Sequence, residues 1–383
     1  MAGEARGSAV RVWDLAVRLF HWALVVAVSV AGWTGLWVGD RAINLHVIAG
    51  ISVGTLVIAR VIWGFRGGRF ARFGGFVLGP LTLVRHVHAL AGGRAERHLG
   101  HNPLGGAMIV ALLLVLTALV VSGLSVWGGV FRTGPLASVI AVDTGEWLLA
   151  VHKWVAYGLA GLIAAHVLGA LGESLRTREN LVRAMVTGWK ARRPGDHAPR
   201  AVRAQPLLAL VMVAAGLGAV LAGGAMMAGR PVPGAPVVII GSAYASQCSD
   251  CHAAYHPSLL PAASWQALMG NLSDHFGEDA SLPAAETGDI TAYLTANAAE
   301  TTDTRAAHVL RLVDPAEPYT ITATPFWKAR HASLPEAMFK TAAVASKANC
   351  GACHADAGTG WFYPGNINIP SDQTSSSMKG TTP

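Results

Sequence analysis

The sequence predicts an all-α membrane protein: a four-helix transmembrane bundle, then a fifth transmembrane helix, then a mainly α-helical, loop-rich domain. Three observations support this fold class. The composition is 52% hydrophobic and only 13% charged, which is unusual for a soluble enzyme. Five apolar segments precede residue 229, and each is long enough to cross a bilayer. After a linker rich in Gly and Pro, short helical runs alternate with Pro and Gly breaks.

The apolar segments define the predicted order of elements. They are Leu15 to Val38, Ile43 to Trp63, Met108 to Trp127, Trp147 to Leu171 and Pro206 to Ala228. The first is too long for a cleaved signal peptide and is flanked by arginine, so we interpret it as a retained span. The predicted domains are the bundle (1–190), a basic loop with the fifth helix (191–228), a linker (229–236), the second domain (237–370) and a disordered Ser/Thr-rich tail (371–383).

Charge is distributed unevenly along the chain. Residues 1–229 carry 21 Lys and Arg against 9 acidic residues, whereas residues 230–383 carry 8 against 13. The positive surplus lies in loops beside the spans, so it indicates membrane orientation rather than nucleic-acid binding. The positive-inside rule predicts a cytoplasmic N-terminus, and five crossings then place everything after Ala228 outside.

Two histidines, His152 and His166, lie in the fourth predicted span. Fourteen residues of α-helix rise about 21 Å and turn through about 40° less than four full turns, so both imidazoles leave nearly one face at opposite depths. Ionisable side chains inside a span are rare and costly, which makes them functional candidates. The predicted topology matches the depth of His21 to His166 and of His46 to His152. Each pair offers two imidazoles from different helices, as six-coordinate haem iron requires.

All four cysteines fall in two identical patterns, Cys248-Ser-Asp-Cys251-His252 and Cys350-Gly-Ala-Cys353-His354. Cys-x-x-Cys-His is the attachment motif of c-type haem, in which two thiols bond to the haem and the histidine binds its iron. One match alone is also compatible with a zinc or redox motif, but two matches in a domain predicted to lie outside favour haem. We therefore expect two haem c groups on these cysteines, with His252 and His354 as proximal ligands.

The residues alone leave the sixth ligand of each haem c open. Methionine would raise the reduction potential, and a second histidine would lower it. Met269 and Met338 lie in predicted helical runs, where core packing is an alternative use. The nearby candidates are His256, Met269 and His275 for the first haem, and His308, His331 and Met338 for the second.

Four separated blocks of the first half are VWDLAVRLFHW (Val12 to Trp22), ARVIWGFRGGRFARF (Ala59 to Phe73), HNPLGG (His101 to Gly106) and ENLVRAMVTGWK (Glu179 to Lys190). They fall in order and resemble the bacterial cytochrome b561 family, which includes the b-type cytochrome subunit of nickel-iron hydrogenases. The resemblance implies a four-helix bundle that holds two haem b groups and exchanges electrons with quinone. The ligands that it implies are His21 with His166 on the cytoplasmic side, and His46 with His152 on the periplasmic side.

In the second domain, CSDCHAAYHPSLLPAASWQALMGNLSDHFGEDASL, ITATPFWKARHASLPE and ANCGACHADAGTG resemble the small dihaem cytochrome c family of purple bacteria. That family generally uses two histidines per haem, and its blocks match at His275 and His331. The resemblance thus implies His252 with His275 for the first haem c and His354 with His331 for the second. His256 departs from the family, where proline is expected, and it stays unassigned.

Four further histidines lie in the loop before the third span. We interpret His86, His88 and His98 as part of a solvated, basic interfacial segment. His101 directly precedes the third span, and it is a candidate for lining a quinone pocket near the inner haem.

Together these features predict a fused electron-transfer protein with four haems in a bacterial inner membrane, its haem c domain being periplasmic. Electrons from membrane quinol would pass through the b haems to the c haems and on to a soluble periplasmic haem protein or cytochrome. Two alternatives stay open: a membrane anchor and relay subunit for a dehydrogenase or hydrogenase, and superoxide oxidation coupled to quinone reduction. The sequence contains no hydrolytic nucleophile motif and no phosphate loop.

Overall fold

Helices dominate the computed structural model, which describes residues 9–77, 79–193, 196, 202–237, 242–250 and 252–370. The predicted all-α membrane fold is confirmed. The chain divides into two compact units. The first contains Met1–Val126 and Trp147–Met226, and the second contains Trp127–Glu146 and Met227–Pro383. The predicted disordered tail, 371–383, lies outside the described residues.

The first unit is built from long helices. Proline is the first residue of α3, α4 and α7, where its missing N–H leaves no intrahelical hydrogen bond unmade. The end of α4 and the start of α5 belong to the second unit. The helices are α1 (Leu15–Trp33), α2 (Ile43–Arg66), α3 (Pro80–Ala91), α4 (Pro103–Gly129), α5 (Val142–Thr177), α6 (Leu181–Thr187) and α7 (Pro206–Ala228).

The first two long helices form a hairpin, in which α1 packs along α2. A π-helical turn over Thr34–Val38 and a 3-10 turn over Gly39–Ala42 connect them. Gly39 adopts a φ of +68°, a left-handed conformation that glycine reaches without steric cost. The two predicted spans therefore join in one continuous helical stretch that reverses direction.

Four helical stretches of the described chain are long and apolar enough to cross a membrane: Leu15–Arg66, Pro103–Gly129, Val142–Thr177 and Pro206–Ala228. The first contains both α1 and α2, so the five apolar segments of the sequence fall within these four stretches. Large apolar side chains cover their surfaces; Trp154, for example, is 75% exposed. Helices satisfy their own backbone hydrogen bonds, and such an apolar exterior suits a hydrocarbon environment.

A short antiparallel sheet joins the chain before α1 to the chain after α6. It pairs β1 (Ala9–Arg11) with β2 (Trp189–Ala191). Nearby, the guanidinium of Arg97 forms ion pairs with Glu179 and Asp196. These contacts tie together the loops at one end of the bundle.

The second unit consists of short helices and turns around a small apolar core. Trp265, Ile290 and Leu294 are each at most 2% exposed in this core. Proline stands at or directly before the start of α9, α10 and α12, which limits how far each preceding run can extend. The helices are α8 (Ala243–Cys248), α9 (Ala262–Met269), α10 (Ala284–Ala296), α11 (Arg305–Leu310) and α12 (Pro325–His331).

Residues 127–146, here called the α4–α5 segment, pack with the second unit although they connect two long helices of the first. Val130, Ala137 and Val142 of this segment are buried, at 2%, 5% and 1% exposure. The predicted domain 1–190 includes this segment. Its packing instead groups it with the C-terminal part of the chain.

Candidate functional site

His46 of α2 and His152 of α5 face each other. Their ring centroids are 6.1 Å apart, and the ring planes make an angle of 79°. A metal–imidazole bond of about 2 Å, with each ring centroid about 1 Å behind the bonding nitrogen, separates two coaxial imidazoles by about 6 Å. The spacing therefore fits one iron atom between the two rings.

Residues of the neighbouring α1 hairpin orient the His46 ring. Nδ1 of His46 lies 3.0 Å from the Ala31 carbonyl and 3.1 Å from the Thr34 hydroxyl. The Thr34 hydroxyl itself donates to the Val30 carbonyl at 2.7 Å. Nδ1 of His46 is consequently a donor to Ala31, which leaves the Nε2 lone pair for a metal. Gly35 makes room for the ring, because a Cβ there would lie 2.8 Å from its Cε1.

His152 is oriented in the same manner by α4. Its Nδ1 lies 2.9 Å from the Ser122 hydroxyl, which donates to the Ala118 carbonyl at 2.7 Å. The hydroxyl oxygen is thus the acceptor for Nδ1–H. At Gly123, an added Cβ would lie 3.3 Å from the ring. Each ring of this pair is therefore positioned by a hydroxyl or carbonyl and a glycine on an adjacent helix.

His21 of α1 and His166 of α5 form the second pair in the bundle, close enough for their charges to interact. Nδ1 of His21 is buried without a hydrogen-bond partner, and its ring packs edge-on against Trp22 at 5.0 Å. His152 and His166 lie on one unbroken helix. The structure therefore brings His46 and His152 face to face and places His21 within electrostatic range of His166.

His101 lies close enough to His166 of this second pair for a charge on His166 to affect its pKa. Its ring packs against Trp13 at 4.5 Å and against Phe76 at 4.7 Å. Nδ1 of His101 is buried without a hydrogen-bond partner. Burial, aided by the positive charge of Arg60, lowers the pKa of His101 to about 3, so the imidazole is neutral.

His252 and His275 form a facing pair in the second unit. Their ring centroids are 6.2 Å apart, and the planes are 25° apart. Nδ1 of His252 donates to the Ala253 carbonyl at 2.9 Å, which leaves Nε2 free to bind a metal. Burial, followed by the charge of His252, lowers the pKa of His275 and favours its neutral form. Cys248 is partly buried nearby, whereas Cys251 lies outside the described residues.

His331 and His354 form a second such pair, with ring centroids 6.2 Å apart and planes at 63°. Nδ1 of His331 donates to the Trp327 carbonyl at 2.9 Å, and the His331 ring stacks on the Trp327 ring with centroids 4.4 Å apart. Burial, followed by the charge of His331, lowers the pKa of His354. Burial likewise raises the pKa of the Cys350 and Cys353 thiols. Both pairs have the spacing of imidazoles that share one iron.

His256 is fully buried, and both of its ring nitrogens are engaged. Nε2 donates to the Val237 carbonyl at 2.8 Å, and Nδ1 accepts from the Ser258 amide at 3.2 Å. A ring with no free nitrogen cannot bind iron without losing one of these bonds. His256 is a structural residue, in agreement with its lack of assignment from the sequence.

The other sixth-ligand candidates are also occupied elsewhere or lie apart from these pairs. His308 contacts Asp143 through Nδ1 at 3.1 Å and Asp303 through Nε2 at 2.9 Å. Met269 is 5% exposed in the apolar core. Met338 lies in a partly exposed 3-10 turn. Of the six candidates, His275 and His331 are the two whose rings face a motif histidine.

The loop histidines differ from the expected solvated segment. His86 is 7% exposed, its Nε2 is buried without a hydrogen-bond partner, and its ring meets His98 edge-on at 5.7 Å. The solvated interpretation is therefore wrong for His86, although His88 is exposed. Lys190 donates to the Leu99 carbonyl, and both Lys190 and Arg97 pair with Glu179. No local sequence pattern reveals these tertiary contacts.

Comparison with known proteins separates the same two regions. Residues 12–188 match the family described as prokaryotic cytochrome b561, and residues 244–362 match dihaem cytochrome c. The probable Ni/Fe-hydrogenase 1 B-type cytochrome subunit of Escherichia coli K12 is 22% identical over 216 residues, which cover 48% of this chain and 92% of that subunit. The probable Ni/Fe-hydrogenase B-type cytochrome subunit of Azotobacter vinelandii is 25% identical over 233 residues, covering 48% and 89%.

Solved structures match the second region. The crystal structure of DHC purified from Rhodobacter sphaeroides is 40% identical and covers 32% of this chain and 98% of that chain, with a TM-score of 0.26. The dihaem cytochrome c of Shewanella baltica is 34% identical and covers 34% and 93%, with a TM-score of 0.28. Residues 12–188 are thus similar to the prokaryotic cytochrome b561 family and residues 244–362 to the dihaem cytochrome c family, and the chain is a membrane electron-transfer protein that uses haem b and haem c.

Proposed function

We propose that the chain oxidises membrane quinol and passes the electrons through two haem b and two haem c groups to a soluble haem protein or cytochrome in the periplasm. The N-terminus is cytoplasmic, and the domain 237–370 is periplasmic in a bacterial inner membrane. The proposed haem b ligands are His21 with His166 on the cytoplasmic side, and His46 with His152 on the periplasmic side. The proposed haem c residues are Cys248, Cys251, His252 and His275 for the first group, and Cys350, Cys353, His354 and His331 for the second.

The observation that carries this proposal is the repeated spacing of facing imidazoles. Three pairs have ring centroids 6.1 or 6.2 Å apart, one in the bundle and two in the C-terminal domain. Haem would supply one-electron redox chemistry, and the two imidazoles of each pair would hold its iron. Because two histidines at each site would bind the iron, these residues favour relay of electrons over chemistry at the iron.

The protein's part in this relay is to keep each ligand nitrogen unprotonated and in place. Hydrogen bonds from Nδ1 to fixed acceptors do so for His46, His152, His252 and His331. Bis-histidine ligation also favours a lower potential than a histidine–methionine pair. Ligands that are already held in place favour fast electron transfer, because the histidines move little when the iron gains or loses an electron.

The proposed quinol site lies at His101, in the aromatic surroundings described above. Arg60 is 4% exposed, and its guanidinium lies 5.2 Å from the Phe73 ring centroid and 6.0 Å from that of Phe76. A quinol ring is itself flat and apolar, with a hydroxyl at each end. Aromatic side chains can pack on its faces, while the unpartnered Nδ1 of His101 can hydrogen-bond one hydroxyl.

The test uses the purified full chain and a short-chain quinol, with haem reduction followed by rapid-mixing absorbance spectroscopy. We expect quinol alone to reduce the b haems first and then the c haems. His101→Ala should slow quinol-driven reduction at least about tenfold, about 1.4 kcal/mol of lost interaction, while dithionite still reduces all haems. His88→Ala is the matched control because His88 is an exposed histidine of α3, in the same connection between α2 and α4. Absence of reduction without an added protein would contradict quinol oxidation by this chain.

A second candidate is a membrane anchor and relay subunit for a hydrogenase or dehydrogenase. It is favoured by the relatives of the first region, which are named as Ni/Fe-hydrogenase B-type cytochrome subunits. In that case the haems would be reduced only after the catalytic subunit and its substrate are added. The same rapid-mixing measurement therefore distinguishes the two functions.

A further inference from the structure

Arg132 occupies an unusual position in the α4–α5 segment. Its side chain is buried, at 4% exposure for the residue, and its backbone φ is +52°. Residues with a Cβ seldom adopt this left-handed conformation unless the surrounding contacts hold them there. A buried guanidinium must also be matched by acceptors, because an unpaired buried charge is strongly unfavourable.

The guanidinium of Arg132 joins three separate parts of the second unit. It donates to the Ile140 carbonyl within the α4–α5 segment and to the Pro233 carbonyl in the linker. It also forms an ion pair with Asp303 of the C-terminal domain at 3.3 Å. One side chain therefore fastens the segment, the linker and the domain to each other.

Asp303 of the C-terminal domain is the residue on which these contacts converge. Its carboxylate also accepts from His308 Nε2 at 2.9 Å and from the Val142 amide at 3.4 Å. Its own amide donates to the Gly234 carbonyl at 2.8 Å. His308 in turn contacts Asp143 at 3.1 Å. The α4–α5 segment and the linker thus converge on one carboxylate.

Further contacts surround this centre. Arg305 pairs with Glu146 at 2.9 Å, and Phe131 packs edge-on against Tyr363 at 5.9 Å. Gly234 has a φ of +67°, and a Cβ at that position would lie 2.5 Å from the Asp303 Cβ. A loose tether between a membrane anchor and a soluble domain requires none of these contacts.

We propose that Arg132 and Asp303 form an intramolecular latch that fastens the dihaem domain to the α4–α5 segment, and that this latch speeds the entry of electrons into the haem c groups. The inference rests on the proposed function for its kinetic consequence. Each transfer moves one electron from a reduced to an oxidised haem, and no bond forms or breaks. Arg132 and Asp303 are positioning residues, since neither lies at a haem ligand.

The rate of electron transfer to the haem c groups depends on the fraction of time that the dihaem domain spends in a position where it can accept electrons. A domain held only by residues 229–236 would sample many orientations, and its effective concentration at the electron donor would be set by the linker. The α4–α5 segment is continuous with α4 and α5, so a domain held against this segment is tethered through these two helices as well as through the linker.

The experiment compares the full chain with Arg132→Gln and Asp303→Asn in lipid nanodiscs. Hydrogen–deuterium exchange should rise at least about tenfold at amides in residues 130–142 and 229–237 of both variants, because the segment opens more often. Haem c reduction by quinol should slow by about tenfold, whereas haem b reduction stays unchanged. Lys328→Gln is the matched control, since Lys328 is 58% exposed in a pair with Asp314 in the same domain.

The latch is supported if both variants show raised exchange and slower haem c reduction with normal haem spectra. Unchanged exchange in both variants would overturn it. Raised exchange with unaltered haem c kinetics would overturn its role in electron transfer. If the native chain accepts no electrons from quinol, the proposed function fails, and the exchange measurement alone then decides whether the latch exists.

Discussion

Single ring nitrogens determine which histidines of this chain are available to iron. In four predicted ligands, Nδ1 is committed as a hydrogen-bond donor to an acceptor in the protein, so that the lone pair is at Nε2. The acceptors are the Ala31 carbonyl for His46, the Ser122 hydroxyl for His152, the Ala253 carbonyl for His252 and the Trp327 carbonyl for His331. His256 differs, because both of its ring nitrogens form hydrogen bonds within the protein and neither is free for iron.

His275→Met should raise the reduction potential of one haem c. A thioether stabilises the reduced iron more than an imidazole does, and axial ligand identity tunes haem potentials over several tenths of a volt. We expect an upward shift of about 0.1 V or more for one c haem and no shift for the other. A spectroelectrochemical titration of the full chain measures both potentials.

His256→Gln serves as the control for that experiment. It should leave both haem c potentials unchanged, and it should lower the free energy of unfolding by about 1–3 kcal/mol by disturbing buried hydrogen bonds. If His275→Met left every potential in place, or if His256→Gln moved one, the ligand assignment of the first haem c would be refuted.

Sequence spacing alone could not make this distinction between the histidines. His256 and His275 both follow the first motif closely, and His308 and His331 both precede the second. What separates them is tertiary: His308 lies between two carboxylates, whereas His331 stacks on Trp327 and faces His354. The resemblance to known dihaem proteins was needed to favour His275 and His331.

At the level of helices, a π-helical turn and a glycine shape the site around His46. Widened turns of this kind occur often at functional sites, because they displace the helix face locally. Here the turn over Thr34–Val38 places the Thr34 hydroxyl and Gly35 against the His46 ring. The His46 ring fits here only because residue 35 is a glycine and has no side chain.

Gly35→Ala should therefore reduce haem b content. The new methyl group would lie 2.8 Å from the ring, so the ring or the helix must move, an overpacking cost of about 1–3 kcal/mol. We expect loss of up to about half of the haem b, measured by the pyridine haemochrome assay, with haem c unaffected.

Gly32→Ala is the matched control one turn earlier, because a Cβ there meets no atom within 4 Å. It should retain full haem b content, and alanine is intrinsically favoured over glycine in a helix. Equal haem b content in the two variants would contradict the proposed contact between Gly35 and a haem ligand.

Hydropathy predicted the long helices well, since apolar runs of this length have few other uses. It could not predict that α1 and α2 form one continuous stretch, or that His86 would be buried with its ring against His98. Nor could it predict the packing of the α4–α5 segment, because Arg132 and Asp303 are 171 positions apart in the sequence and neither belongs to a motif.

For the whole molecule, the proposed ligand sets require equal amounts of haem b and haem c. The pyridine haemochrome assay on the purified chain should give a ratio of about one. His152→Ala should remove the haem b that it shares with His46 and lower the ratio of haem b to haem c to about one half. His46 alone would hold a non-covalently bound haem weakly. Covalent attachment should protect haem c from the same change.

Trp154→Phe provides the comparison for His152→Ala, since Trp154 is 75% exposed on the same helix and should leave the ratio at about one. A native ratio well away from one would remove at least one of the four ligand pairs. An unaltered haem b spectrum in His152→Ala would instead assign that haem to other residues.

The unbroken helix α5 carries one ligand of each proposed haem b. Inserting or deleting one residue between His152 and His166 would rotate one imidazole by about 100° relative to the other. The interval is thus free to vary in composition but not in length during evolution, unlike the α1–α2 turn, where an indel disturbs a single site. Drift in this stretch should appear as substitution without gaps, a pattern imposed by the pitch of a helix rather than by chemistry at any one position.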